Sequence, residues 1–310
     1  MTQAASRLQP SSRPNLLGIG AAKCGTTWFA DHLSSHPDIF LPPQKELGAL
    51  YYNDLEDRLD EYQAYFLGAE DAQVRCDFSV RYLSEPNASA AAARHTPDTK
   101  ILVILRDPVD QVQSHYWHQV RQNFAQAKAV KPQPDIFEAM ERFPKLLLEP
   151  ALYGKHLRRW YELFPEDRIL ALDYGEVAKD LPTALAKVWA FLNIAPAAAT
   201  SQETQAPNRE GRRGVSPRRG FLGSIYPPLY SAVTHKPYQA AKRIFGVRRV
   251  EAVKRKLKLR QFSEAIFFEA GYPKLGPTDR LRLRAIFADD LKILDEELGF
   301  APAAAWRVAP

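Results

Sequence analysis

Apolar residues gather into short dense runs, and two of those runs lead into helical patterns. Leu16 to Ala22 is the first run and has strand character. It breaks at Lys23 and Gly25, and a helical pattern opens at about Thr26 and runs to Ser35. The second run, Lys100 to Leu105, reads Lys-Ile-Leu-Val-Ile-Leu without alternation. Such a run predicts a central parallel strand buried on both faces. It ends in Arg106-Asp107-Pro108, and a helical pattern continues to about Asn123. Pro108 suits the first helical position, where its missing N–H leaves nothing unpaired. Toward the C-terminal end, Leu281, Leu283, Ile286, Phe287, Leu291, Ile293 and Leu294 mark an amphipathic helix over Asp279 to Gly299. Residues 1–14 are polar, with Pro10 and Pro14, and read as a flexible tail rather than a signal peptide. No stretch approaches the roughly 18 apolar residues of a membrane span.

The first strand-to-helix transition is an anion-binding device. Backbone N–H groups and the positive end of the helix dipole converge there. Lys23 adds a positive charge, Thr26 and Thr27 add hydroxyls, and a phosphate fits the point they share. A nucleotide triphosphatase loop needs Gly-x4-Gly-Lys-Ser/Thr, with Lys after the second Gly. Here Lys23 stands two residues before Gly25, in the order Lys-x-Gly-Thr-Thr. That order disfavours a P-loop kinase. So does the lack of a clear second Mg²⁺-holding acid after an apolar strand.

The Lys-x-Gly-Thr-Thr loop resembles the 5′-phosphosulfate loop of sulfotransferases that use 3′-phosphoadenosine 5′-phosphosulfate (PAPS). Arg106-Asp107-Pro108, with Ser114 eight residues after Arg106, resembles the same family's 3′-phosphate element. Arg can hold a phosphate through two parallel bonds, and Ser supplies a further hydroxyl. The likeness continues through Leu152-Tyr153-Gly154, His156-Leu157, Trp160 and Phe164-Pro165, which resemble the family's Tyr-x-x-x-Leu-x-x-Trp helix. Arg168 to Leu172 then matches its next strand, and Leu181 to Leu192 its helix ending in Phe-Leu. The end near Trp306 is similar to that of many bacterial members. The resemblance implies an α/β fold, a three-layer sandwich around a central, mostly parallel sheet, in one domain over residues 15–310. It implies PAPS as donor, adenosine 3′,5′-bisphosphate as product and no metal. The ligand should lie across the C-terminal ends of the strands beginning near Leu16 and Lys100.

Roles follow from the same resemblance. Lys23, Cys24, Gly25, Thr26 and Thr27 form the phosphosulfate loop, with Lys23 stabilising charge that builds toward the leaving phosphate. Pro43-Gln44-Lys45-Glu46-Leu47 resembles the Lys-Glu-Leu/Pro element of carbohydrate-type and bacterial sulfotransferases. It implies Glu46 as the base that takes the acceptor's proton, with Lys45 contacting the sulfuryl group or tuning Glu46. Asp77 to Tyr82 resembles the family's Glu-x-Ser/Thr-Pro-x-Tyr segment, with Val80 in place of Pro and Asp77 as an alternative base. Gly48-Ala49-Leu50 departs from the usual His or aromatic residues, and Asp173 to Glu176 departs from a Glu-Asp-Leu-like turn. Arg212, Arg213 and Gly214 resemble the late loop that closes over the 3′-phosphate. Trp28 has two readings: it stacks on adenine, for on the order of 1–3 kcal/mol, or it packs in the core. Tyr153 is a further cofactor candidate. His115 and His118 read as helix-surface or pocket residues, because the Pro-Lys-x-His context of a His base is missing.

With 310 residues, 45% of them hydrophobic, the chain is long enough for a sizeable core. Cys24 and Cys76 are its two cysteines, too few for a disulfide framework, so a reducing cytoplasm is expected. Cys24 reads as a small loop residue whose backbone N–H serves the anion. The rival reading is a thiol made acidic by the helix N-terminus. Charge is uneven within the net +6. Residues 209–260 hold fifteen Lys or Arg against Glu210 and Glu251, a net +13, which leaves the remainder at −7. Within them, Lys242 to Arg260 carries nine basic residues and one acid among Ile244, Phe245, Val250, Val253 and Leu257. A stretch of this kind lies on an anionic membrane, holds an anionic acceptor, or packs as a solvated helix. No nucleic-acid module is recognisable, so no nucleic-acid partner is expected. The expected acceptor is a hydroxylated glycan, lipid or secondary metabolite. No motif encodes an oligomeric state.

Overall fold

Leu16–Gly20 forms β1, and every one of its residues is buried. It pairs in parallel with β3 (Val74–Phe78) on one side and β4 (Lys100–Leu105) on the other. In β4, Ile101 to Leu105 are each 0% exposed, as the unbroken apolar run predicts. β2 (Ile39–Phe40) joins β3, and β5 (Ile169–Asp173) joins β4, both in parallel. The strand order β2-β3-β1-β4-β5 places β1 at the centre. The chain builds out to one side of β1 and then returns to the other, so the C-terminal ends of β1 and β4 meet at a switch point. Gly18 pairs with Leu102 and Gly20 with Val103, so Ile19 is an extra residue that bends the end of β1.

The computed structural model describes residues 13–125, 135–197, 215–217 and 268–307. The chain divides into two units. The first comprises residues up to Gln111, Leu148–Pro207 and Pro277–Pro310, and it holds the five-stranded sheet. Its helices flank a parallel sheet in an α/β arrangement. α1 (Thr26–Leu33) follows β1 and buries Phe29, Ala30 and Leu33. α2 (Leu59–Ala64) and α3 (Ala88–His95) come before and after β3. α4 (Pro108–Ala125) opens directly after the Arg-Asp turn and continues into the second unit. The second unit comprises Val112–Leu147 and Asn208–Gly276. Its described part holds the rest of α4, α5 (Ile136–Arg142), α6 (Pro144–Leu147) and an antiparallel pair, β6 (Val215–Pro217) with β7 (Phe268–Ala270). Gln113 donates to the Pro273 carbonyl at 2.7 Å, and Trp117 stacks on Tyr272.

In the first unit, α7 (Tyr153–Tyr161) buries Tyr153, Leu157 and Trp160. No residue beside its N-terminus caps it. Instead Asp290, far along the chain, accepts the N–H groups of Gly154 at 2.9 Å and Lys155 at 2.8 Å. Asp173 to Glu176, the departure from a Glu-Asp-Leu-like turn, is a helix start. The Asp173 carboxylate accepts the Glu176 N–H at 2.7 Å and so N-caps α8 (Tyr174–Lys179). α9 (Leu181–Leu192) follows. α10 (Pro277–Lys292) begins two residues before the expected start and passes into a π-helical turn over Ile293–Glu297. Leu283, Phe287, Leu291 and Leu294 are buried, whereas Leu281 and Ile286 are exposed. The inward stripe is narrower than expected because spacing of three and four residues keeps only the former set on one face. α11 (Pro302–Arg307) buries Trp306. No helix among the described residues is long and apolar enough to cross a membrane.

Candidate active site

Lys23 and Gly25, between β1 and α1, both adopt left-handed backbone, at φ 67° and 73°. For a Lys this conformation is strained by on the order of 1 kcal/mol, and such strain gathers at ligand clamps. Gly25 is the N-cap of α1, with no side-chain cap and no acidic residue in the first turn. The first-turn N–H groups and the helix dipole are therefore left to an anion. A side chain at Gly25 would also collide with Tyr174, whose Cε2 would lie 2.5 Å from a Cβ. The Tyr174 ring carries the Arg106 guanidinium, 5.2 Å from its centroid. Tyr174 thus lies against both the loop after β1 and the turn after β4.

Thr26 is buried and Thr27 is exposed. Lys45 Nζ donates to Thr27 Oγ1 at 3.3 Å and lies 4.8 Å from the centre of the Phe78 ring. Burial lowers the Lys45 pKa, against the opposing pull of the Glu46 and Asp31 charges. Glu46 follows in left-handed backbone, at φ 62°. Its N–H donates to the Phe78 carbonyl at 3.2 Å, and its Oε2 accepts the Val80 N–H at 2.9 Å. A Pro at position 80 has no N–H, so the Val80 departure supplies a donor that orients Glu46. The Glu46 residue has exposed surface, yet its carboxylate is crowded by protein atoms. That crowding raises its pKa, and the Val80 N–H and Lys45 oppose the rise. The neighbouring Gly48 is left-handed too, and a Cβ there would sit 2.1 Å from the Tyr51 hydroxyl.

Asp77 lies beneath this segment and is 0% exposed. It accepts hydroxyls from Tyr62 at 2.7 Å, Tyr82 at 2.6 Å and Ser79 at 2.9 Å. Ser79 Oγ in turn accepts the Gly48 N–H, and the Tyr82 hydroxyl accepts the Leu50 N–H. Asp77 is a strut under the Glu46 loop, with no surface from which to reach an acceptor. Tyr62 belongs to this network and carries no motif that the sequence reading could catch. Cys24 is buried, 3.8 Å from the Tyr153 hydroxyl. Burial pushes its thiol up to about 12, so the acidic-thiol reading does not hold. Tyr153 is fully buried under the loop, which it meets through Cys24.

Arg106 is partly exposed at the end of β4, and Asp107 Oδ1 accepts the Val109 N–H at 2.9 Å to cap α4. Arg284 of α10 holds Asp107 through two bonds. Ser114 lies on α4 in the second unit and is partly exposed. His115 is buried beside Gln119, so it is no surface residue, while His118 is partly exposed beside Gln122. Trp28 is half-buried and meets His32 edge-on, with ring centroids 5.1 Å apart. Arg212, Arg213, Gly214 and the stretch from Lys242 to Arg260 lie outside the described residues.

The structure therefore brings Lys45 and Glu46 to the first turn of α1, and Arg106 within reach of the same loop through Tyr174. Lys23, just after β1, and Arg106, just after β4, put two cations at the switch point of a parallel sheet in an α/β domain. The chain belongs to the sulfotransferase domain family, which it matches over residues 13–207. It is 29% identical over 198 residues to human bifunctional heparan sulfate N-deacetylase/N-sulfotransferase 3, covering 59% of this chain and 22% of that one. It is 25% identical over 198 residues to human heparan sulfate glucosamine 3-O-sulfotransferase 3B1, covering 58% and 46%. The match thus spans less than half the length of these curated relatives. A sulfotransferase from Alicyclobacillus acidocaldarius shares the fold at a TM-score of 0.61, with 22% identity over 96% of this chain and 99% of that one.

Proposed function

We propose that the protein transfers a sulfuryl group from PAPS to a hydroxyl of a glycan. The observation that carries this reading is the Lys45–Thr27 hydrogen bond, with Glu46 adjoining it at the mouth of the phosphate loop. The donor set fits PAPS: Lys23, the α1 amides and Thr27 suit the 5′-phosphosulfate, and Arg106 suits the 3′-phosphate. When bound, PAPS supplies an activated sulfuryl group. Lys23 neutralises negative charge at the loop, where a fixed cation needs no reorganisation during reaction. Glu46, held by the Val80 N–H, accepts the proton of the attacking hydroxyl. Lys45 steadies Glu46 and adds positive charge beside Thr27. The names of the relatives, which act on heparan sulfate, favour a glycan over a lipid or secondary metabolite. The test is incubation with radiolabelled PAPS and an O-desulfated, N-acetylated heparan-type glycan, whose acceptors are hydroxyls. Label should pass to the glycan with wild type and not with Glu46→Gln. Transfer that survives in Glu46→Gln would remove Glu46 as the base.

A further inference from the structure

α10 lies beyond the matched residues 13–207, yet it reaches the Arg106-Asp107-Pro108 turn. Arg284 donates to Asp107 from both Nη atoms, at 3.1 Å to Oδ1 and 2.8 Å to Oδ2. Arg280 donates to Asp110 Oδ1 at 2.8 Å and stands 3.9 Å from Asp107. Arg106 is 4.0 Å from Asp110, the looser partner of that carboxylate. Arg106 therefore stands beside two acids, and α10 supplies a closer cation to each.

We propose that Arg280 and Arg284 are positioning residues of the 3′-phosphate site, taking up the charge of Asp110 and Asp107 so that Arg106 serves the ligand. This rests on the reading of Arg106 as the 3′-phosphate contact. Among the described residues, the turn holds three cations against Asp107 and Asp110, with Asp173 on the neighbouring strand beside them; without the α10 pair, one cation would face all three acids. An incoming phosphate would then meet net repulsion. Arg106, already 4.0 Å from Asp110, would also close on that carboxylate. The two-bond Arg284 contact further fixes the Asp107 carboxylate that caps α4. The Arg284 side chain is only 11% exposed, a setting in which an unpaired carboxylate is costly.

The test is calorimetric titration of the full chain with adenosine 3′,5′-bisphosphate and with adenosine 5′-phosphate. Arg280→Gln should weaken the bisphosphate roughly tenfold, the scale of one lost charge-assisted phosphate contact, and leave the monophosphate within about twofold. Adding Asp110→Asn to Arg280→Gln should restore bisphosphate binding, because the carboxylate that captures Arg106 is gone. Arg284→Lys keeps the charge but loses the two-bond fork, and it should weaken the bisphosphate selectively as well. If Arg284→Lys unfolds, the two Arg280 variants decide. Unchanged binding in Arg280→Gln, equal weakening of both ligands, or no rescue by Asp110→Asn would overturn the proposal. Wild type that binds both ligands equally would sink the 3′-phosphate reading of Arg106, and this proposal with it.

Discussion

Lys23 and Glu46 are both non-glycine residues held in left-handed backbone, and both flank the first turn of α1. That placement gives each a measurable consequence. Lys23→Ala should keep the fold and lower turnover by about 10²–10³, the usual loss when one preorganised charge donor is removed. Steady-state rates with circular dichroism alongside check this, and near wild-type turnover would take Lys23 out of the chemistry. Glu46 acts as a base only when ionised, and crowding by protein atoms raises its pKa above that of an ordinary Glu. Turnover should therefore fall with acidification at a pH above that of an ordinary Glu. A pH–rate profile whose acid limb sits at or below that of an ordinary Glu would contradict the assignment. Much of this site was legible from sequence, because Lys-x-Gly-Thr-Thr and Lys45-Glu46 are local patterns. Tyr174 and Tyr62 were not, since an aromatic after a strand or on a short helix carries no periodic or motif signal. The role of Val80 was hidden as well: a missing Pro reads as a departure until the freed N–H is seen on Glu46.

Among the elements, β1, β4 and the helix after each announce themselves by apolar density and by the punctuation of Gly25 and Pro108. What the sequence could not show is how distant segments finish them. Asp290 caps α7 across 136 residues of chain, and Asp77 holds three hydroxyls from α2 and the turn after β3. Such contacts depend on packing and leave no spacing to read. Asp290→Ala should cost about 1–2 kcal/mol, the range for a lost N-cap, with a lower urea midpoint and an unchanged slope. Unchanged stability would mean that water caps α7 as well as Asp290 does. Asp77→Asn should likewise lower the melting temperature, since an amide cannot accept all three hydroxyls as a carboxylate does. Asp77→Asn that melts like wild type while losing all turnover would instead mark Asp77 as the base.

Across the whole molecule, residues 209–260 concentrate a net +13 on a chain whose remainder is −7. An anionic partner is the expected match for such an asymmetry. If that partner is a membrane surface, the protein pellets with anionic vesicles at low salt and releases as salt shortens the field to about 8 Å near physiological ionic strength; no pelleting at low salt would leave the stretch as ordinary solvated surface. Gln at Arg248, Arg249, Lys254 and Arg255 should weaken that binding and leave ligand affinity at the phosphate loop intact. The central claim, a site that holds a 5′-phosphosulfate and a 3′-phosphate together, is tested most directly by ligand competition. Calorimetry should be run with adenosine 3′,5′-bisphosphate, adenosine 5′-phosphate and ATP with Mg²⁺. The bisphosphate should bind tightest, and that advantage should be lost in Arg106→Ala. Preference for ATP with Mg²⁺, or a bisphosphate advantage that survives Arg106→Ala, would contradict that claim.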